Sequence, residues 1–204
     1  LRQIRGVAGL ENTRLLIAPR HPERFSEVAG LITGAGLSFI KRSEFVGKPD
    51  DSRSLADVIL LDTMGELAAA YRFASVVFVG GSLVARGGHN ILEPALYAKP
   101  IIVGPYTNNF RRMIRDFVED RAAVQIPTPK GREESLAGEL ARELIRLLSN
   151  KDDSARMGRR AREVLLRNRG AAARTLAAIE PILLEAQVVR PATLPNHAPS
   201  KDSL

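Results

Sequence analysis

The chain contains no cysteine and no tryptophan. Without cysteine it can form neither disulfides nor thiolate metal sites, which fits a reducing compartment. Aromatic residues make up only 5% of the sequence, which weakens the case for a platform that stacks single-stranded bases. No apolar run approaches the length of a membrane span, and no signal peptide is recognisable. No acidic cluster stands at a strand end, as a response-regulator-like module would need. Asp50-Asp51 lies in a polar loop and reads as solvated rather than metal-binding, so no metal site is expected. There is no internal repeat. The first residue is Leu1 rather than Met, inside what reads as a helix, so a piece of a longer protein is expected.

What is present is ordinary globular material. The 204 residues are 45% apolar and 26% charged, enough for one α/β domain with its own core. The net charge of +7 permits nucleic acid, anionic lipid or a phosphorylated substrate as a partner and selects none of them. A nucleic-acid binder would need a recognition motif, and none is found.

One stretch organises the rest, Val76–Asn108. An apolar run, Val76-Val77-Phe78-Val79, ends at Gly80-Gly81-Ser82 and continues to Gly87-Gly88-His89-Asn90-Ile91-Leu92-Glu93-Pro94-Ala95. A second apolar run, Ile101-Ile102-Val103-Gly104-Pro105, follows Lys99-Pro100. The first run is too short for a helix and stops at glycine, so it predicts a buried strand. Paired glycines let the backbone turn tightly and let a ligand approach it. Asn90 suits a helix N-cap, and the spacing of Ile91, Ala95 and Ala98 predicts a helix over Asn90–Ala98. A helix start after a glycine-rich turn is a phosphate site in principle, and Glu93 one turn in can accept hydrogen bonds from a sugar diol.

The remaining chain alternates strand and helix. Leu1–Leu10 reads as a helix with Ile4 and Val7 inward, and Arg14–Ala18 as a strand running into Pro19-Arg20-His21-Pro22. Polar side chains after a strand lie where open α/β sheets bind ligands, so Arg20 is a candidate for a phosphate or carboxylate. His21 reads as structural. Pro22–Ala35 is an amphipathic helix, Leu37–Ile40 a strand, Ser43–Ala56 a polar loop and Asp57–Leu61 a third strand. Asp62-Thr63-Met64-Gly65-Glu66-Leu67 then opens a short helix. Glu66 completes a capping box or faces a ligand, and both readings stand. Gly65 lets a base or sugar lie against the backbone, and Met64 can pack on a flat ring. Helices are predicted over Asn109–Asp120, Glu133–Ser149, Ser154–Arg169 (capped by Asp152 or Asp153) and Ala171–Ala186, with a short strand at Ala123–Ile126. The dense arginines Arg156, Arg159, Arg160, Arg162, Arg167 and Arg169 read as a solvated basic face rather than a lipid-headgroup site. The proline-rich segment 188–204 reads as a disordered tail. The expected architecture is a Rossmann-like, doubly wound parallel sheet over residues 1–187.

Three segments together resemble a known family. Ala18-Pro19-Arg20-His21-Pro22-Glu23-Arg24-Phe25, Asp62-Thr63-Met64-Gly65-Glu66-Leu67 and Phe78–Pro94, extended by Gly104-Pro105 and Asn109-Phe110, look like the C-terminal half of the bacterial Kdo transferases. These enzymes move 3-deoxy-D-manno-octulosonic acid (Kdo) from CMP-Kdo to a lipid A precursor in lipopolysaccharide biosynthesis. The resemblance covers roughly Arg14–Ala186 and implies the C-terminal, donor-nucleotide-binding domain of a GT-B glycosyltransferase. It implies that Pro19 and Arg20, Met64, Gly65 and Glu66, and Asn90, Ile91, Leu92 and Glu93 surround CMP. Beside it stands a physical assignment: Ser82, the glycine amides including Gly88, and the Asn90 helix start hold the phosphate. Glu93 takes the ribose hydroxyls, Arg20 meets an anionic group or the base, and the Met64–Glu66 turn cradles the cytidine. No cofactor is implied beyond the donor substrate, CMP-Kdo.

Two features of the family pattern have no counterpart in this sequence. One is a strand with a Ser-Thr-His-Glu-Gly-Glu-Glu-like segment ahead of the first helix, so a sheet edge is expected to be exposed. The other is the N-terminal domain, which in the family carries the catalytic base, the membrane anchor and the acceptor groove. No catalytic residue is therefore assigned, and this chain alone is expected to be soluble and not to transfer Kdo. The parent enzyme is expected at the cytoplasmic face of the inner membrane, with the lipid A precursor and the membrane surface as partners. The alternative is the donor-binding domain of a UDP-sugar transferase or epimerase, which shares the fold and the glycine-turn-then-glutamate pattern.

Overall fold

Among the described residues, six strands of three residues each carry the fold: β1 Leu15–Ile17, β2 Phe39–Lys41, β3 Val58–Leu60, β4 Val77–Val79, β5 Ile101–Val103 and β6 Ala123–Gln125. The computed structural model describes residues 1–44, 56–128 and 135–168. In it the strands form two three-stranded sheets, ordered β1-β3-β2 and β4-β5-β6, and every pairing is parallel. The expected parallel α/β class is therefore present, as two sheets instead of one continuous sheet. Among the described residues, the outer edges of β1 and β4 have no strand partner.

The α-helices among the described residues are α1 Arg2–Arg5, α2 Phe25–Gly34, α3 Leu67–Ala70, α4 Leu92–Leu96, α5 Arg111–Glu119, α6 Leu136–Ser149 and α7 Lys151–Asn168. Residues Leu1–Leu165 form one compact unit; of the second, Leu166–Leu204, the described part is the end of α7. The expected helix Ala171–Ala186, the tail 188–204, Arg169 and most of the Ser43–Ala56 loop, with Asp50 and Asp51, lie outside the described residues.

The second sheet is covered on both faces, and β5 shows why. Ile101 and Val103 point into a cluster with Ile91 and Ala95 of the α4 segment, Ile114 and Phe117 of α5, and Ala161 and Val164 of α7. Ile102, between them, points the other way, into a cluster with Ile126, Leu147 of α6 and Met157 of α7. Alternating side chains on a strand buried on both sides require this continuous apolar run. Each such side chain contributes about 1.5–3 kcal/mol by leaving water. In the first sheet β3 is buried at the centre, with Val58 and Leu60 fully enclosed. The edge strand β1 is not: Leu15 and Leu16 remain 39% and 40% exposed.

Several boundaries differ from the sequence pattern for identifiable reasons. The helix expected over Leu1–Leu10 is the single turn α1, which ends at Gly6. Ile4 is buried as expected, and two arginines tie the turn down: Arg5 pairs with Asp57 at the start of β3, and Arg2 donates to the Ala35 carbonyl at 2.7 Å. Helix α7 starts at Lys151, and its cap is Asn150, whose Oδ1 accepts from the Asp153 amide at 3.0 Å, not Asp152 or Asp153. Ser135 caps α6 by accepting from the Gly138 amide at 3.0 Å. In the middle of α7, Gly158 lets the helix lie directly on the backbone of the turn at Ala98, which itself has a left-handed φ of 52°.

Candidate functional site

Because all strands in each sheet are parallel, the segments singled out in the sequence leave at strand C-termini. Pro19-Arg20 follows β1, Asp62–Glu66 follows β3 and Gly80–Glu93 follows β4. Among the described residues, a hydrogen bond joins the loops at this end of the two sheets: a guanidinium nitrogen of Arg20 donates to Nδ1 of His89 at 3.1 Å.

The turn after β3 is fixed by its acidic residues. Asp62 accepts from the Ser43 amide at 2.9 Å and from its hydroxyl at 2.6 Å. Burial pushes its pKa up, but the Ser43 hydroxyl and amide outweigh burial and hold it below the usual carboxylate value. Of the two readings open for Glu66, the capping box does not form. Glu66 stands at the N-cap position of α3 without a side-chain capping bond. Its carboxylate instead meets Arg42 at 2.9 Å and takes the Thr63 hydroxyl. Between Asp62 and Glu66, Gly65 adopts a φ of 82°, which turns the chain outward and leaves Met64 73% exposed. This is a raised turn with an apolar side chain at its tip.

The glycine-rich segment after β4 is a knot more than an open cradle. Ser82 is fully buried; its hydroxyl donates to the Val79 carbonyl at 2.6 Å and accepts from the Gly104 amide at 2.8 Å. Its one proton is thus spent inside the protein, and it has none for a phosphate. Ser82 fastens the end of β4 to the end of β5, a role that replaces the expected one. The Gly88 amide is also committed, to the Gly81 carbonyl at 3.0 Å. Gly87, at φ 85°, gives room to the Asn109 side chain, which lies where a Cβ would stand.

The helix that follows is shorter than its pattern. It runs over Leu92–Leu96, because Ala98 turns left-handed before Lys99-Pro100. Asn90 still acts at its start, with Oδ1 accepting from the Leu92 amide at 3.0 Å. A five-residue helix has little dipole to offer a phosphate, and one of its free amides is taken. Ile91 is fully buried and anchors the segment in the core. Glu93 is exposed and lies close enough to Tyr71 to act on it. Burial, and then the Glu93 charge, push the Tyr71 hydroxyl up to about 12. Tyr71 also meets Tyr97, with ring centroids 6.2 Å apart.

The structure therefore joins Arg20 to the glycine-rich segment and ties Glu66 to Arg42. It also sets Glu93 beside Tyr71 and turns Ser82 and the Gly88 amide inward. His89, Arg42 and Tyr71 were not singled out as site residues in the sequence. Their partners lie 69 residues away for His89 and 24 for Arg42, beyond any local spacing rule.

No family model matches the chain. It is 40% identical over 177 residues to the 3-deoxy-D-manno-octulosonic acid transferase of Haemophilus influenzae, covering 87% of this chain and 39% of that one. It is 37% identical over 166 residues to the same enzyme of Bordetella pertussis, covering 81% and 36%. The chain thus spans somewhat over a third of the length of these curated relatives. A solved structure, the C-terminal CMP-Kdo binding domain of WaaA from Acinetobacter baumannii, superposes with a TM-score of 0.64 at 31% identity. That match covers 74% of this chain and 73% of the other. With the motifs lying at the strand ends as described, the chain belongs to the family of 3-deoxy-D-manno-octulosonic acid transferases and matches the C-terminal domain of its members.

Proposed function

We propose that this chain is the CMP-Kdo-binding half of a GT-B glycosyltransferase that transfers Kdo to a lipid A precursor. The observation that carries the reading is the Arg20–His89 contact, which brings the end of β1 to the glycine-rich segment after β4. The likeness to a solved CMP-Kdo binding domain supports the choice of nucleotide. CMP-Kdo presents one phosphodiester and one carboxylate, a small charge that a guanidinium can meet. Arg20, exposed and able to offer a planar fork, takes the anionic group. Glu93 accepts the ribose hydroxyls. The turn at Met64, Gly65 and Glu66 receives the cytidine, with Met64 against the ring and Pro19 beside Arg20. Asn90, Ile91 and Leu92 shape the wall that presents Glu93. The Arg20 guanidinium, aimed at the anionic group, stabilises the departing CMP anion in the transfer step.

The acceptor, the catalytic base and the membrane surface belong, in this reading, to the rest of the parent enzyme at the inner membrane. Among the described residues no helix is long and apolar enough to cross a membrane. The test is calorimetric titration with CMP, UDP and AMP, repeated on Glu93→Ala. CMP-selective binding that disappears in the variant is expected. Preference for UDP would overturn the nucleotide assignment and favour a UDP-sugar enzyme. Binding unaltered by Glu93→Ala would overturn the ribose contact.

A further inference from the structure

Among the described residues, His89 is the hydrogen-bond partner of the Arg20 guanidinium. The two residues differ in stiffness. A long, exposed arginine loses roughly 2 kcal/mol of rotamer freedom when it is held in one place. His89 is already held. Gly81, at φ 70°, brings bare backbone to its ring, and a Cβ there would stand 2.9 Å from Nε2. The bond from the Gly88 amide to the Gly81 carbonyl, 3.0 Å, closes the loop on the residue just before His89.

We propose that His89 is a positioning residue: its ring, seated on Gly81, uses Nδ1 to hold the Arg20 guanidinium at the donor's anionic group. The proposal rests on the donor-binding reading above and adds to it a residue and a condition on pH. A guanidinium has only donors to offer, so Nδ1 must accept and the ring proton must sit on Nε2. The imidazole that does this is neutral. Burial, followed by the charges of Arg20 and His21, holds the His89 pKa below its ordinary value. Arg20 and His21, both from the loop after β1, are the charged or titratable groups acting on the ring among the described residues; His21 in turn lies 3.4 Å from Glu23. When His89 takes a second proton, Nδ1 becomes a donor and the ring becomes a cation. The bond to Arg20 then breaks and the two charges repel. Acid therefore releases Arg20 from the site without touching the arginine itself.

The experiment is titration of a cytidine 5′-monophosphate methyl ester, whose phosphodiester keeps a single charge, into the intact chain between about pH 5 and 8. The wild type is expected to lose affinity toward the acid end of that range, below the ordinary imidazole pKa. His89→Ala is expected to bind roughly tenfold more weakly at pH 7.5, the worth of one charge-assisted hydrogen bond, and to have lost the acid limb. His89→Gln, with an amide oxygen that accepts but does not titrate, restores part of the affinity with a flat profile. His21→Gln leaves the acid limb in place. In Arg20→Ala, adding His89→Ala costs nothing further. Binding that survives His89→Ala with an unchanged pH profile overturns the proposal alone and leaves the donor site standing. No binding by the wild type at any pH overturns the donor reading and the proposal with it.

Discussion

Helix propensity and packing make opposite predictions at Gly158, and the structure decides between them. Replacing a mid-helix glycine by alanine stabilises an unconstrained helix by about 1 kcal/mol. At Gly158, however, the added Cβ would stand 1.9 Å from the Ala98 carbonyl oxygen and 2.6 Å from its carbon. Both are backbone atoms, so no rotamer change relieves the overlap. Ordinary contact begins near 3.4 Å, so α7 must withdraw by about 1.5 Å or the Ala98 turn must move. Withdrawal would loosen Met157, Ala161 and Val164, all buried on the same helix. Overpacking of this kind costs typically 1–3 kcal/mol and more against rigid backbone. We expect Gly158→Ala to be destabilised by about 2 kcal/mol net of propensity, a fall of about 4–8 °C in melting temperature for a chain of this size. Gly30→Ala is the control. Gly30 lies within α2, and a Cβ there meets nothing within 4 Å. That variant should gain about 0.5–1 kcal/mol from propensity alone. Thermal melts by far-ultraviolet circular dichroism on the two variants read both outcomes. A melting temperature for Gly158→Ala at or above that of the wild type would refute the close approach of α7 to the Ala98 turn.

Ser82→Ala leaves the buried Gly104 amide without its acceptor and should cost about 1–3 kcal/mol in urea unfolding, with CMP affinity of the folded protein retained. Lost affinity at unchanged stability would instead make Ser82 a ligand of the phosphate. Asp57 is held down to about 2 from 3.8, first by the Arg5 hydrogen bond and then by the Ser38 amide and hydroxyl. A carboxylate with a depressed folded-state pKa stabilises the fold above its ordinary value and loses that contribution as it is protonated. Melting temperatures of wild type and Asp57→Asn should therefore converge as pH falls from about 4 toward 2. Parallel curves over that range would remove Asp57 from the acid response.

The strands were legible because their signal is local. Val-rich runs ending at glycine, such as Val76–Val79, and Ile101–Val103 before Gly104 need no distant partner to be recognised. The site segments were legible for the same reason, as polar residues directly after those runs. What escaped was set by contacts far along the chain. Nothing around Ser82 announces that its hydroxyl will be captured by Gly104, 22 residues on. Glu66 fits a capping box by spacing, yet Arg42 on the other side of β3 competes for its carboxylate. The α4 helix was overextended because Ala98, an excellent helix former, is forced left-handed where α7 presses on it. His89 was visible inside its motif, but its partner came from a different sheet.

The chain's three tyrosines, Tyr71, Tyr97 and Tyr106, all sit on the β4-β5-β6 side. Tyr71 packs on that core, Tyr97 lies tilted beside it, and the Tyr106 amide bonds to the Ser82 carbonyl. With no tryptophan to outshine them, tyrosine emission, excited beyond the phenylalanine absorption band, reports on one sheet, while the β1-β3-β2 sheet contributes none of it. The protein thus carries its own optical label for half of its architecture, a few side chains away from Glu93. Comparing that emission with circular dichroism, which counts backbone from both sheets, separates the loss of one sheet from the loss of the whole without attaching a dye.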